Sequence, residues 1–187
     1  MDKNESKYFL TASFMDEALL LLLQKKDFEF ITVKELYKKA GVNRSTFYLH
    51  YETMDELLLE TVEKLNKNFS ASLPQREKED FNLITPKFLK PYLEFVKKNR
   101  QAFKATEQRP EIFKVEESFQ RMQQGVFNPI LVHYKVKEED KEYIFTFFTQ
   151  GIISIVFRWI KNDCKGKIDT MINLIQHCVE EWIRLTK

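Results

Sequence analysis

Four consecutive polar residues, Asn43, Arg44, Ser45 and Thr46, stand at the start of a short helical pattern that becomes aromatic at Phe47. A helix that packs into a core hides its first turn, whereas this one displays amide, guanidinium and hydroxyl groups there. Side chains of these types can pair with base edges in the major groove of DNA or donate to its phosphates. The cluster therefore predicts a helix whose first turn enters a major groove.

The segment before this cluster predicts another short helix and a tight turn. Thr32 and Glu35 have the S/T-x-x-E spacing of a capping box, in which each side chain accepts a hydrogen bond from the backbone N–H of the other residue. Gly41 can end that helix in the left-handed conformation without a Cβ penalty, and Asn43 can cap the helix that follows. Residues 32–51 are therefore predicted to form a helix-turn-helix.

The residues and spacing of this segment resemble the TetR family of bacterial transcription regulators. The family pattern is a Thr-initiated helix, Ala-Gly-Val at the turn, a small polar cluster, an aromatic pair and a His-aromatic pair. This chain shows it as Thr32, Ala40-Gly41-Val42, Ser45-Thr46, Phe47-Tyr48 and His50-Tyr51. The resemblance implies a regulator with an N-terminal three-helix DNA-binding domain and a C-terminal helical domain for effector binding and dimerisation.

Nine residues of the motif are the predicted DNA contacts. We expect Arg44 to pair with guanine, whereas Phe47 packs into the core of the three-helix domain. The other contacts are Asn43, Ser45 and Thr46, which read bases or position the helix, and Thr32, Lys34, Tyr48, His50 and Tyr51, which hold phosphates. The family usually carries a lysine four residues after the motif histidine, and Met54 at this position removes one phosphate contact.

The composition favours helices. The chain has 187 residues, of which 43% are apolar, with only four glycines and five prolines. We predict an all-α fold of about nine helices. Residues 1–66 form the helix-turn-helix domain, and residues 67–187 form the effector-binding and dimerisation domain. Long helices are expected over Ser6 to Lys26, Thr53 to Ser72, Lys137 to Asn162 and Lys167 to Thr186, with further helices beginning at Pro86 and Pro110 and a break near Asn128.

The charge is distributed unevenly between these two parts. Residues 1–66 carry nine Lys/Arg and twelve Asp/Glu, whereas residues 67–187 carry 21 and 16. A DNA-binding domain normally has a basic surface, and here the basic residues gather inside the motif as Lys34, Lys38, Lys39 and Arg44. The acidic total is compatible with two alternatives, a protein that binds DNA weakly or one that another protein recruits to DNA.

No secretory leader or membrane span is predicted. Met1 to Glu17 mixes charges of both signs, and the most apolar run, Tyr143 to Phe157, is shorter than the roughly 20 residues that a bilayer span requires. Cys164 and Cys178 lack metal-type spacing, so we expect free thiols in a cytoplasmic protein.

The last two predicted helices are candidates for a dimer interface. Apolar residues of the final helix recur at spacings of four and three, the period of helices packed nearly parallel or antiparallel. The predicted four-helix interface, with two helices from each chain, contains Gly151, Ile155, Trp159, Ile172, Ile175, Val179 and Trp182. The same period also fits a core inside one chain, which is the alternative.

The aromatic residues between 81 and 160 favour a roomy apolar cavity for an effector. Its possible polar contacts are Tyr92, Arg121, Tyr134, Gln150 and Arg158. Aromatic stripes at helical spacing also form ordinary cores, so plain packing is the alternative for each of these residues.

The sequence contains no constellation that predicts an enzyme. It has no glycine-rich phosphate loop, no H-E-x-x-H or C-x-x-C motif, and only three histidines. We therefore predict no catalytic residues, no metal site and no cofactor.

The predicted function is a homodimeric TetR-type repressor that binds a near-palindromic double-stranded DNA operator and is released by a small apolar or aromatic effector. The alternative is a TetR-like interaction module or coactivator whose contact with DNA is weak or depends on a partner protein.

Overall fold

The computed structural model describes residues 3–72, 85–107, 128–133 and 135–185, and every regular element among them is a helix. The α-helices are α1 (Lys3–Leu23), α2 (Val33–Lys39), α3 (Arg44–His50), α4 (Met54–Ser72), α5 (Pro86–Lys98), α6 (Arg100–Ala105), α7 (Asn128–His133), α8 (Glu138–Lys161) and α9 (Ile168–Leu185). A 3-10 turn, Phe28–Phe30, joins α1 to the segment before α2. The expected all-α class is confirmed.

The described residues fall into two compact units. Residues 3–72 and 101–107 belong to the first unit, and residues 85–100, 128–133 and 135–185 belong to the second. Pro86 begins α5, as predicted, because its missing N–H would have no helical partner in the first turn. The helices expected over Lys137 to Asn162 and Lys167 to Thr186 are present as α8 and α9. The helix expected at Pro110 lies outside the described residues.

The first unit is built on α1, which packs against α2 and α4, while α2 packs against α3. Its core includes Met15 and Leu19 of α1, Leu36 of α2 and Phe47 of α3, all fully buried. The predicted core position of Phe47 is confirmed. Burial of these side chains fixes one side of α3 to the rest of the unit and supplies most of the driving force for its docking.

A polar network also joins α1 to α4. The buried Asp16 carboxylate accepts hydrogen bonds from the Thr61 hydroxyl and the Lys64 ammonium, each at 2.8 Å. Lys64 donates to the Ser13 hydroxyl as well, at 2.7 Å. The network satisfies a buried carboxylate that would otherwise be costly, and it sets α4 against the scaffold helix of the unit.

The second unit packs α9 against both α5 and α8. The buried cluster contains Phe145 and Phe148 of α8 and Ile175 and Val179 of α9, with Leu89 of α5 packed against it. By length and composition α8 could cross a bilayer, a test that the core helix of a soluble protein also passes. Two of its phenylalanines, Phe145 and Phe148, are buried against α9 in this unit.

Candidate DNA-binding surface

The start of α2 is fixed by a capping box with an additional ion pair. Thr32 accepts a hydrogen bond from the backbone N–H of Glu35 at 3.2 Å, and Glu35 accepts from the backbone N–H of Thr32 at 3.0 Å. The Lys26 ammonium donates to both Glu35 oxygens, at 2.7 and 2.8 Å. Hydrogen bonding from Lys26, and then from Thr32, lowers the pKa of Glu35 to about 2. The predicted capping box is confirmed, and it leaves Glu35 ionised at neutral pH.

The Thr32 hydroxyl uses its only hydrogen within this network. It donates its hydrogen to Glu35 Oε2 at 2.8 Å. A phosphate oxygen accepts hydrogen bonds and donates none, so it needs the hydrogen that Thr32 gives to Glu35. Thr32 can therefore hold a phosphate with its hydroxyl only after it leaves Glu35.

The turn between α2 and α3 depends on Gly41, whose φ of +70° lies in the left-handed region. The N–H of Val42 donates to the carbonyl of Tyr37 at 3.0 Å, which closes the end of α2. An added Cβ at Gly41 would meet no atom within 4 Å. Glycine is thus favoured here by backbone conformation and not by crowding.

Asn43 caps α3 and orients two neighbouring hydroxyls. Its Oδ1 accepts hydrogen bonds from the Thr46 N–H at 2.7 Å, the Ser45 hydroxyl at 2.7 Å and the Thr46 hydroxyl at 2.8 Å. The capping N–H identifies the accepting atom as the amide oxygen, so both hydroxyls must be donors. Ser45 and Thr46 consequently offer only lone pairs to a further partner, which suits the amino groups of adenine and cytosine.

Arg44 lies at the exposed start of α3, one helical turn from Tyr48. The guanidinium carbon is 5.6 Å from the centre of the Tyr48 ring, within the range of a cation–π contact. The contact limits the directions that the long Arg44 side chain takes while leaving its donors available. Such a side chain can pair in a bidentate manner with guanine.

At the other end of α3, His50 stacks on Tyr8 of α1. The ring centres are 3.9 Å apart and the planes meet at 22°. The Nδ1 atom of His50 is buried and has no hydrogen-bond partner among the residues that the structure describes. Burial lowers the pKa of His50, so its neutral form is favoured.

Tyr51, predicted to hold a phosphate, is buried with 4% of its surface exposed. Burial, followed by the charges of Asp16 and Glu60, raises the pKa of the Tyr51 hydroxyl. Because this hydroxyl lies within the unit and beside carboxylates, it cannot reach a phosphate in this structure. We therefore assign Tyr51 to the core of the first unit.

The basic residues of the motif are at the surface. Lys34, Lys38, Lys39 and Arg44 are all exposed. Two other basic residues of this unit, Lys26 and Lys64, are engaged in ion pairs with Glu35 and Asp16. The motif therefore presents four exposed basic residues on α2 and at the start of α3, and Lys7 and Lys25 of the same unit are exposed as well. Met54, the first residue of α4, adds no charge.

Two family models match this chain. The model for bacterial regulatory proteins of the tetR family matches residues 17–61, which include the helix-turn-helix. The model for a transcriptional regulator C-terminal region matches residues 85–181, just over half of the chain. The chain belongs to the TetR family of bacterial transcription regulators. Members of this family are generally transcription factors without enzymatic activity.

One sequence relative and one similar structure cover unequal shares of this TetR family member. Over 57 residues it is 37% identical to the uncharacterized HTH-type transcriptional regulator YxbF of Bacillus subtilis (strain 168). That alignment covers 30% of this chain, and this chain spans only 15% of the relative's length. The dihydroxyacetone kinase operon activator DhaS has a similar structure, with a TM-score of 0.60, 15% identity, and coverage of 94% of this chain and 97% of that one. At such low identity, the similarity to DhaS shows the fold alone.

The predicted dimer residues of this TetR family member lie mostly in its own core. Trp159, Ile172, Ile175 and Val179 are buried within the chain, and Ile155 packs against the buried cluster of the second unit. Gly151 is exposed, and the side chain of Trp182 lies outside the described residues. Exposed apolar residues occur instead on another face of α8, at Tyr143 and Phe147, and at Leu174 of α9.

The predicted effector contacts are also dispersed. Tyr92 of α5 is half-buried and burial raises its pKa, but Gln150 and Arg158 of α8 are exposed. Arg121 and Tyr134 lie outside the described residues. Among the described members of this set, only Tyr92 has an interior position suited to lining a cavity.

Three residues of the candidate surface were missed by sequence reasoning. Tyr8 stacks on His50, Lys26 holds Glu35, and Leu49 is exposed on α3. Tyr8 lies 42 positions before His50, and Lys26 lies nine residues before Glu35 across the end of α1 and a 3-10 turn, so helical spacing gave no signal for either contact. Leu49 carried a weak signal, because an apolar residue inside a polar recognition helix can contact a thymine methyl group.

Proposed function

We propose that this chain is a DNA-binding transcription regulator that inserts α3 into a major groove and binds a near-palindromic operator as a homodimer. The observation that carries the proposal is the contrast between the two sides of α3. Phe47 is fully buried, whereas Arg44 and Ser45 are exposed at the start of the same helix. This contrast supports a helix that is anchored by one side and free to enter a groove with the other. The proposed location is the cytoplasm.

The proposed base-reading contact is Arg44 with guanine. Lys34 and His50 are proposed as phosphate contacts, because Lys34 is exposed and His50 retains a nitrogen able to donate. Ser45 and Thr46 are proposed to accept from base amino groups, since Asn43 already takes their hydrogens. Phosphate contacts fix the register of the helix, and the base contacts supply specificity.

The direct test is a fluorescence anisotropy titration of the protein against DNA from its own upstream region and against random DNA, each at two salt concentrations. Arg44→Ala should weaken binding to the preferred site by about 1–3 kcal/mol and relax specificity at one base position. The matched control is Lys165→Ala, which removes one positive charge from an exposed residue in the second unit and should leave affinity unchanged. Equal loss on every sequence would reject base reading by Arg44.

We further propose that dimers form through exposed apolar residues of α8 and α9. The support is the exposure of Tyr143, Phe147 and Leu174 in the single chain, together with Gly151, where an added Cβ would meet nothing within 4 Å. Tyr143, Phe147 and Gly151 lie four residues apart and therefore share one face of α8, and large exposed apolar residues on one face commonly mark protein interfaces. The buried residues of α8 and α9 would then hold each protomer together, and the exposed ones would join two protomers.

Sedimentation velocity can test this interface with two matched variants. Phe147→Glu should shift the protein toward monomer because it places a charge in the proposed apolar contact. Phe30→Glu is the matched control, because Phe30 is almost as exposed as Phe147, 67% against 69%, but lies in the first unit, away from α8 and α9 in the sequence. It should leave dimerisation unchanged. Unchanged dimerisation in Phe147→Glu would place the interface elsewhere.

The proposed regulation is repression that a small, largely apolar effector relieves. Support comes from family membership and from Tyr92, which lies half-buried in α5 of the second unit. An effector can release DNA only if it binds the non-binding state of the protein more tightly than the DNA-bound state. Small apolar and aromatic compounds should be screened for release of labelled DNA, and Tyr92→Ala should change the concentration at which an active compound works.

A second candidate function is an interaction module that reaches DNA through a partner protein. Met54 and the excess of acidic residues in positions 1–66 favour it, because both reduce attraction to phosphates. The titration above separates the two proposals. Binding to upstream DNA no stronger than to random DNA would favour the partner-dependent module.

A further inference from the structure

The stacked pair formed by Tyr8 and His50 joins the scaffold helix to the recognition helix. Tyr8 lies in α1 and His50 is the last residue of α3, 42 positions later, yet their ring centres are only 3.9 Å apart. The nearly parallel planes cover one face of the imidazole. This contact restricts rotation of a side chain that otherwise has two soft torsions.

The buried edge of His50 determines which nitrogen carries the proton. Nδ1 is buried and has no hydrogen-bond partner in the part of the chain that the structure describes. An N–H at this atom would leave a buried donor unsatisfied, whereas a bare nitrogen loses only an acceptor contact. The neutral imidazole therefore carries its hydrogen on Nε2.

We propose that Tyr8 is a positioning residue for DNA binding, which holds the imidazole of His50 by stacking so that its Nε2–H donates to an operator phosphate. The inference rests on the proposed function, in which α3 binds DNA. In this arrangement His50 contributes a neutral hydrogen bond and no positive charge. Loss of the contact should lower affinity without changing the number of counterions released, so the dependence of affinity on salt should stay the same.

The main experiment measures the affinity of wild type, Tyr8→Phe, Tyr8→Ala, His50→Ala and the double variant for labelled DNA from the upstream region over a range of salt concentrations. Tyr8→Phe keeps the stack and should bind within about twofold of wild type, while Tyr8→Ala should bind roughly 3- to 10-fold more weakly. The double variant should be no weaker than His50→Ala, because both changes remove the same contact.

Two control variants make these results specific. Phe14→Ala removes another aromatic residue of α1 with nearly the same exposure, 45% against 44% for Tyr8, and should leave affinity unchanged. Lys34→Ala should reduce the slope of the logarithm of affinity against the logarithm of salt concentration by about one, because one fewer counterion is released. Tyr8→Ala should leave this slope unchanged. Circular dichroism melts of each variant establish that the affinities belong to folded protein.

Nuclear magnetic resonance of the His50 ring nitrogens tests the inference separately from DNA binding. The wild-type free protein should show its hydrogen on Nε2, and Tyr8→Ala should increase motion of the ring. A hydrogen on Nδ1 would overturn the inference even if DNA binding is confirmed. So would an equal loss of affinity in Tyr8→Phe and Tyr8→Ala, which would assign the contact to the tyrosine hydroxyl. If the wild type fails to bind DNA, the proposed function fails, and with it the assigned role of Tyr8.

Discussion

The network around Asp16 should contribute more to stability than any exposed ion pair of the first unit. Asp16→Ala removes two hydrogen bonds to a charged group, each worth about 1.5–3 kcal/mol in a typical protein. Both former partners can still form hydrogen bonds after the substitution. The Lys64 side chain is 42% exposed to water, and the Thr61 hydroxyl also lies 2.7 Å from the carbonyl of Leu57. We therefore expect a loss of about 2–3 kcal/mol, below the range of about 3–5 kcal/mol for a broken, fully buried pair.

Urea denaturation of the full chain, followed by far-UV circular dichroism, measures this loss. With a slope of about 2 kcal/mol per molar urea, the midpoint of the Asp16→Ala variant should fall by roughly 1 M. Tryptophan fluorescence provides a second signal, because both tryptophans, Trp159 and Trp182, belong to helices of the second unit. If the two units unfold in separate steps, the fluorescence transition should move less than the dichroism transition.

Asp27→Ala is the matched control for this experiment. Asp27 also pairs with a lysine in the first unit, but at 3.5 Å from Lys104 and with a 56% exposed side chain. Such a pair contributes about 0–1 kcal/mol. If Asp16→Ala and Asp27→Ala lower the midpoint equally, the reasoning from burial and hydrogen bonding is wrong.

Three other substitutions test the local geometry of the motif. Gly41→Ala should destabilise the fold by about 1–2 kcal/mol in thermal melts through its positive φ alone, because an added Cβ meets no atom within 4 Å; Gly41→Asn should lose less, since asparagine adopts the left-handed region more readily. Asn43→Ala removes the cap of α3 and should lower the free energy of unfolding, measured with urea, by about 1 kcal/mol. Asn43→Asp keeps an oxygen that can cap the helix and should retain most of this stabilisation. Because the pKa of Glu35 is lowered from 4.5 to about 2, its contribution is present above pH 4.5 and is lost as pH falls toward 2. The difference in free energy of unfolding between wild type and Glu35→Gln should therefore become smaller as the pH falls from 4.5 toward 2. An equal difference at both pH values would contradict the assigned ion pair.

Local signals in the sequence predicted the motif well. A capping box, a glycine in the left-handed conformation and a capping asparagine each act within a few residues, so spacing alone reveals them at Thr32, Gly41 and Asn43. The buried position of Phe47 follows from the same short-range pattern. By contrast, the pairing of Asp16 with Lys64 spans 48 residues, and only the packed fold brings the two together.

Periodicity predicted that α8 and α9 have apolar faces but did not assign each face to a partner. The spacing of Ile172, Ile175 and Val179 is the same for a core within one chain and for an interface between two chains. The structure buries these three residues in the chain and exposes Phe147 instead. Tyr51 illustrates the same limit, because an aromatic residue next to a recognition helix can face the core as readily as the phosphates.

The single amide oxygen of Asn43 links two properties that selection would otherwise adjust independently. It begins α3 and also sets the direction of the Ser45 and Thr46 hydroxyls. For a regulator that reads DNA with this helix, a change at position 43 alters both the stability of the domain and the bases that positions 45 and 46 prefer. Evolution toward a new operator should therefore proceed first through Arg44, whose guanidinium plays no part in the cap, and variants at Asn43 should require compensating changes elsewhere.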